Sequence, residues 1–252
     1  MPAQKLFGIV KNVSSILGQL EQAGMRVEIG IDFCQYRTLR SAQADRSAPY
    51  PMFDVTSSYI DESNGFWVCG FNQEDELIHT QAVRLLDLTG RTLEQHLNTH
   101  RHKYITPGTT PDPDLTFYSG PESIKTISGR VCYQGDFWLP SLGLGGPRSQ
   151  GATMLLSRLL FEMMHLNWEP DYVFALVPKQ LAAKGAHLRY GYNHCEPGTW
   201  IGPDEQITEE DYLIWMSGKE VSSALSREPA SIKRGAQISA VQSSMASIDT
   251  KG

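Results

Sequence analysis

The sequence predicts an α/β fold, a mixed central β-sheet flanked by helices, with an N-terminal helix and an insertion before the fourth strand. Three observations predict it. Strand-like runs, either alternating or continuously apolar, recur at 26–33, 65–71, 76–88, 129–144, 172–177 and 212–216. Helix-period apolar stripes stand among them at 5–22 and 150–166, and this interleaving of strands and helices suits a layered sheet. A Gly-rich turn ending Gly145-Gly146-Pro147-Arg148-Ser149-Gln150-Gly151 joins a strand to a strongly apolar helix.

Each element has its own warrant. Leu6, Val10, Val13, Leu17 and Leu20 share one helical face, with Lys11, Ser14, Gln19 and Glu21 elsewhere, so an amphipathic helix ends near Gly24. It is expected to pack on its own domain; a dimer contact or a membrane-surface role is the alternative, and basic residues are few for the latter. In 26–33, Val27, Ile29, Ile31 and Phe33 alternate with Arg26, Glu28, Gly30 and Asp32, which predicts a half-buried strand. The polar stretch 34–48 is helical in part until Pro49 and Pro51 break it. Runs 65–71 and 76–88 form a hairpin across the polar turn Asn72-Gln73-Glu74-Asp75. Residues 89–127 read as a partly helical insertion. Strand 129–144 feeds the Gly-rich turn, and helix 150–166 presents Leu155, Leu156, Leu159, Leu160, Met163 and Met164. The continuous run 172–177 suits a strand covered on both faces. A short helix at 179–187 and a strand near 212–216 follow. From 218 to 252 little apolar patterning remains, and a mobile C-terminal tail is expected there.

Composition excludes several classes. Hydrophobic residues at 40% and charged residues at 20% are those of a globular protein, and no apolar run approaches a membrane span. The first residues lack the pattern of a secretory signal. Cys34, Cys69, Cys132 and Cys195 are far apart with no CxxC pair, so reduced thiols and a cytoplasmic location are expected. A net charge of −6 argues against a general nucleic-acid binder. No Gly-x-Ser-x-Gly elbow signals a serine hydrolase. His96, His100 and His102 cluster, but no acidic or Cys ligand stands at a recognisable distance, so no metal site is expected.

The Gly-rich turn carries the chemistry. It aims backbone N–H groups from Ser149 to Thr153, and the positive end of a helix dipole, at one spot suited to phosphate. Arg148 adds charge. The turn lacks the Lys-Ser/Thr ending of a P-loop, and it lies too late in the chain for a Rossmann fingerprint. The string Arg148-Ser149-Gln150-Gly151-Ala152-Thr153 resembles the pyrophosphate loop, Gln/Arg-x-x-Gly-x-Gly/Ala, of the GCN5-related N-acetyltransferase (GNAT) superfamily. It departs only at Thr153. The order of elements is similar, with the loop between the fourth strand and the next helix, and Tyr190-Gly191-Tyr192 matches an aromatic-Gly-aromatic common after the fifth strand. The resemblance spans 25–217, leaving 1–24 as an N-terminal helix.

What the resemblance implies is an acyl-CoA-dependent N-acyltransferase. An acetyl or longer acyl group would pass from the CoA thioester to the amine of a small molecule or peptide. The pyrophosphate would meet Arg148, Ser149, Gln150, Gly151, Ala152 and Thr153, and the pantetheine arm would pair with backbone at Leu142, Gly143 and Leu144. Many GNAT enzymes protonate the leaving thiolate with a Tyr four residues before the conserved Gly; counting back from Gly191, that position holds His187. His187 or Tyr190 is therefore the candidate acid, and Asp136, ahead of Glu162, the candidate base. His79 and Arg84 lie on the third strand, where substrates often contact this fold. Phe66, Trp67, Phe137 and Trp138 suggest room for more than acetyl. Two other readings stay open: a non-catalytic acyl-CoA-binding module, and a synthase like the acyl-homoserine-lactone branch fed by acyl-carrier protein. Phe53-Asp54 and the strand ending Thr80-Gln81-Ala82-Val83-Arg84 resemble that branch.

Overall fold

The structure, a computed structural model, describes residues 3–43, 46–106, 112–140 and 146–227. Along the chain come α1 (Ala3–Gln22), β1 (Arg26–Gly30), α2 (Phe33–Ser41), β2 (Gly65–Phe71), β3 (Leu77–Leu88), α3 (Leu93–Thr99), β4 (Phe117–Ser119) and β5 (Gly129–Trp138). Then follow α4 (Ala152–Trp168), β6 (Tyr172–Pro178), α5 (Lys179–Ala183), α6 (Ala186–Tyr190), β7 (His194–Glu196), β8 (Thr199–Ile201), β9 (Ile207–Glu209), β10 (Asp211–Ser217) and α7 (Gly218–Leu225). The main sheet has seven strands in the order β1-β2-β3-β5-β6-β10-β7. Its neighbours are antiparallel except β5 and β6, which run parallel because α4 carries the chain back between them. The mixed α/β expectation holds, and β5, the main sheet's fourth strand, leads to the Gly-rich turn.

Each face of the sheet has its own core. On one face α1, α4 and α7 bury Ile16, Leu20, Leu156, Leu159, Leu160 and Val221. On the other, α2, α3 and a small sheet, β4-β8-β9, cover Trp67, Tyr104, Tyr133, Phe174 and Trp200. Those three-residue strands were not anticipated, being too short to show a period.

Several boundaries differ from expectation for identifiable reasons. Strand 26–33 stops at Gly30, because Asp32 caps α2 by accepting from the N–H groups of Cys34 and Gln35. Ile29 and Ile31 are therefore exposed at the sheet edge rather than half-buried. In α1 the buried stripe is Ile9, Ile16 and Leu20, leaving Leu6 and Val10 exposed. The helix expected over 179–187 is two, α5 and α6, parted at Gly185, whose φ of +71° is left-handed. Part of the expected C-terminal tail is folded: α7 opens with a capping box between Ser217 and Glu220 and buries Val221 against the α4 face. Residues 228–252 lie outside the described residues.

Candidate active site

The site begins where β5 leaves its neighbours. Against β3 the register slips: Thr80 faces Trp138 and Ala82 faces Gly135, so β5 holds one extra residue. Asp136 sits in this bulge at φ +53°. Gly135 beside it is required, since a Cβ there would come within 2.6 Å of the Phe53 ring. On its other side β5 pairs with β6 only from Val131 to Tyr133. Beyond that point the two parallel strands part, and a cleft of about 220 Å³ opens between them. Its walls include Tyr133 to Phe137 of β5, Ala175 to Pro178 of β6, Tyr190 of α6, and Arg46 and Tyr50 from the loop after α2.

Asp136, expected as a base, has another occupation here. Tyr36 and the Arg40 Nε each donate to its Oδ2 at 2.5 Å, and Arg46 Nη2 donates to Oδ1 at 2.8 Å. The carboxylate is 1% exposed, and Arg40 is fully buried. A carboxylate holding two guanidinium ions together is poorly placed to accept a proton from a substrate amine. Glu162, the second carboxylate considered, faces away toward α1, bonded to Asn12 and Arg158.

Of the two candidate acids, Tyr190 lines the cleft and its ring packs against Phe137 at 4.6 Å. Burial raises its hydroxyl pKa, and the charges of Arg189 and Arg148 oppose the rise. His187, one turn earlier on α6, is not a cleft residue, and its buried Nδ1 has no partner among the described residues. His79 is buried beside the bulge and held neutral, its pKa pushed down to about 3 by burial. Its Nδ1 donates to the Trp138 carbonyl at 2.8 Å. Arg84 is structural: it donates to the carbonyls of Met52 and Tyr59, pinning the loop before β2. His96, from the histidine cluster, bonds the Tyr104 hydroxyl through Nε2 at 2.7 Å.

The Gly-rich turn is described from Gly146 onward; Leu142, Gly143 and Leu144 lie outside the described residues. Gly151 caps α4 at φ +89° with open space where a side chain would stand. The N–H groups of Ser149, Gln150, Gly151 and Ala152 donate within the turn, to carbonyls of Gly146, Pro147 and Arg148. The expected cradle is thus closed on itself, and an anion there would have to draw these N–H groups outward. Arg148 Nη1 reaches the Leu139 carbonyl at 3.4 Å. Thr153, the departure from the motif, is buried under the turn.

Sequence reasoning missed the acidic end of the region behind the cleft wall. Asp211 opens β10 directly opposite Pro178, a cleft residue. Its carboxyl is pushed up to about 7, first by burial and then by Glu209, while the Trp200 indole N–H bonded to it opposes the shift. Tyr50 joins this end to the cleft: its hydroxyl bonds the Thr106 hydroxyl at 3.1 Å, which in turn donates to Glu209 Oε1 at 2.9 Å. Glu209 Oε2 is buried with no partner among the described residues. In the sequence Glu209, Glu210 and Asp211 look like a solvated acidic run, and only the β6–β10 pairing reveals otherwise.

No family model matches the chain, and no curated protein matches it. Several solved structures are similar to it. AAC(6')-Ib in complex with paromomycin and acetyl-CoA is 13% identical with a TM-score of 0.43, over 81% of this chain and 98% of that one. A variant of SpeG, a spermidine N-acetyltransferase from Vibrio cholerae, is 11% identical with a TM-score of 0.40, over 79% of this chain and 96% of that one. FeeM, an N-acyl amino acid synthase from uncultured soil microbes, is 12% identical with a TM-score of 0.35, over 88% of this chain and 95% of that one. At such identities and scores none of them bears on what this chain acts upon. Among the described residues no helix is long and apolar enough to cross a membrane.

Proposed function

We propose that the chain is an acyl-CoA-dependent N-acyltransferase. The observation that carries this reading is the parting of β5 from β6 after Tyr133, with Arg148 of the turn before α4 bonded to the carbonyl of Leu139 just past the end of β5. Parted parallel strands leave the β5 backbone without a partner on the β6 side, where an extended arm bearing amide groups can bond as an added strand. The pantetheine arm of CoA is such a group. The helix N-terminus and Arg148 supply positive charge for its pyrophosphate, and the turn from Ser149 to Thr153 adds its N–H groups once they are drawn outward.

The chemistry then falls to side chains around the cleft. A neutral amine attacks the thioester carbonyl, the C–N bond forms, and the C–S bond breaks. Tyr190 gives its proton to the departing thiolate, preferred to His187 because it lines the cleft. Asp211, outside the lining but paired with the cleft residue Pro178, takes a proton from the amine through a water. It is preferred to Asp136 because its carboxyl is not the counter-ion of two arginines. Replacing Tyr190 with Phe removes the proton and keeps the ring packing on Phe137. It is expected to lower kcat about a hundredfold with acyl-CoA affinity unchanged, while His187→Ala leaves kcat within about twofold; the reverse pattern would move the acid to His187.

The reading is tested by thermal stabilisation of the full chain with CoA, acetyl-CoA and longer acyl-CoA thioesters, since a ligand of the folded state must raise its stability. Gly151→Glu places a carboxylate at the phosphate position and is expected to weaken binding by roughly a hundredfold or more. Any side chain is strained at φ +89°, so Gly151→Asn, which tolerates left-handed backbone, separates strain from charge and should bind. Saturable binding lost only in the Glu variant supports the proposal. No stabilisation by any thioester sinks it. Stabilisation without turnover of any amine would favour a binding module, and preference for acyl-carrier protein a carrier-fed synthase.

A further inference from the structure

We infer that the amine acceptor is an amino acid, its carboxylate held by Arg46 in the wall of the cleft. This rests on the acyltransferase reading and adds the class of acceptor to it.

The first observation is a charge imbalance. Arg40 and Arg46 share the single carboxylate of Asp136, so this wall carries one positive charge in excess. A buried surplus charge is costly unless something answers it. Arg40 is sealed off, whereas Arg46 lines the cleft with its side chain 14% exposed. Three N–H groups of Arg46 have partners, in Gln43, Thr80 and Asp136, and stacking over Trp138 fixes the plane of the guanidinium. Its two remaining N–H donors suit a planar carboxylate.

The second observation is an acidic pair outside the lining of the cleft. Behind Tyr50, through Thr106, lies Glu209, with one buried oxygen unpartnered among the described residues, and two residues on stands Asp211, paired with the lining residue Pro178. The hydroxyls of Tyr50 and Tyr133 are both raised, chiefly by burial, and both feel the charges of Asp136 and Asp211. A cleft lined by one surplus cation suits an acceptor that carries a carboxylate beside its amine. A polyamine would meet Arg46 as a like charge, and an amine without a carboxylate would leave Arg46 unanswered. The acceptor reacts as its free amine: as the C–N bond forms Asp211 takes one nitrogen proton, Tyr190 gives its own proton to the departing thiolate, and the products are an N-acyl amino acid and a thiol.

The test uses the full chain saturated with its best acyl-CoA. Glycine, L-serine and L-phenylalanine are compared with their amides and with methylamine, ethanolamine and phenethylamine, reading both thiol release and thermal stabilisation. Amides are less basic and hold more free amine at neutral pH, so slower turnover of the amide cannot come from nucleophile supply. The amino acids are expected to exceed both analogues by roughly tenfold or more in kcat/KM. Arg46→Gln should abolish that preference by raising KM for the amino acids and not for the amides. Arg40 still neutralises Asp136 in that variant, so the fold is kept; Arg46→Lys, keeping charge without the fork, should retain part of the preference. Turnover of amides or decarboxylated amines as fast as amino acids overturns the inference and leaves the acyltransferase standing. Failure to bind or turn over any acyl-CoA sinks the acyltransferase itself. Stabilisation by amino acids still decides the inference in that case: it must need both the carboxylate and Arg46, and its absence overturns the inference.

Discussion

Asp136→Ala should lower the unfolding free energy by about 3–5 kcal/mol, enough to unfold a marginally stable domain. The size follows from what is left behind. Arg40 has no exposed side-chain surface, and its short bond to Asp136 is its main compensation; the contacts to Gln43 and the Ser47 carbonyl are 3.4 and 3.3 Å. Removing the carboxylate strands that guanidinium, and Arg46 beside it, in a low-dielectric environment. Tyr36 loses its acceptor in the same step. Asp136→Asn retains an acceptor and should cost less. Double replacement with Arg40→Met should recover part of the loss, because the orphaned charge goes with its partner. Urea unfolding of the three variants measures this. A stable Asp136→Ala protein that had lost only turnover would instead identify Asp136 as the base.

That difference between a base and a counter-ion could not be read from the chain. Asp136 is legible as a carboxylate on the strand before the phosphate turn, but its partners come from α2 and the following loop, and nothing local ties Arg40 or Arg46 to it. The hairpin of β2 and β3 was legible because alternation over many residues is a long signal. The start of α2 was not, because Ile31 and Phe33 extend the alternation of β1 by coincidence while Asp32 is already a helix cap. For α7 the signal was present and was outweighed by composition: Ser217-x-x-Glu220 is a capping box, and Val221 and Leu225 stand one helical turn apart. The phosphate turn could be proposed from sequence because glycine spacing next to a helix is local chemistry. The acidic pair could not, since Asp211 comes beside the lining residue Pro178 only through pairing of β10 with β6, which the sequence does not announce.

Asp211→Asn should lower kcat/KM by at least about a hundredfold and yet make the protein more stable above neutral pH. The two effects have one origin. Burial and Glu209 push the Asp211 carboxyl up to about 7, against about 4 in an unfolded chain. Between those values the folded state holds a proton that the unfolded state has released, so stability falls as pH rises from about 4 through about 7. Asn carries no charge to desolvate, keeps an oxygen for the Trp200 indole, and removes this penalty, which is on the order of a few kcal/mol. As a base, Asp211 must be ionised to act, so the wild-type rate should climb with pH across the same range in which stability declines. The free amine fraction of the acceptor climbs too, and a less basic acceptor, such as an amino acid amide, flattens that contribution and exposes the Asp211 limb. The opposed trends are the signature: a structural carboxylate would lose stability and activity together, and a bystander would lose neither. Parallel pH series of kcat/KM and of urea midpoint, for wild type and Asp211→Asn, read both at once. A variant that keeps its rate, or is less stable than wild type at pH 8, would remove Asp211 from the mechanism.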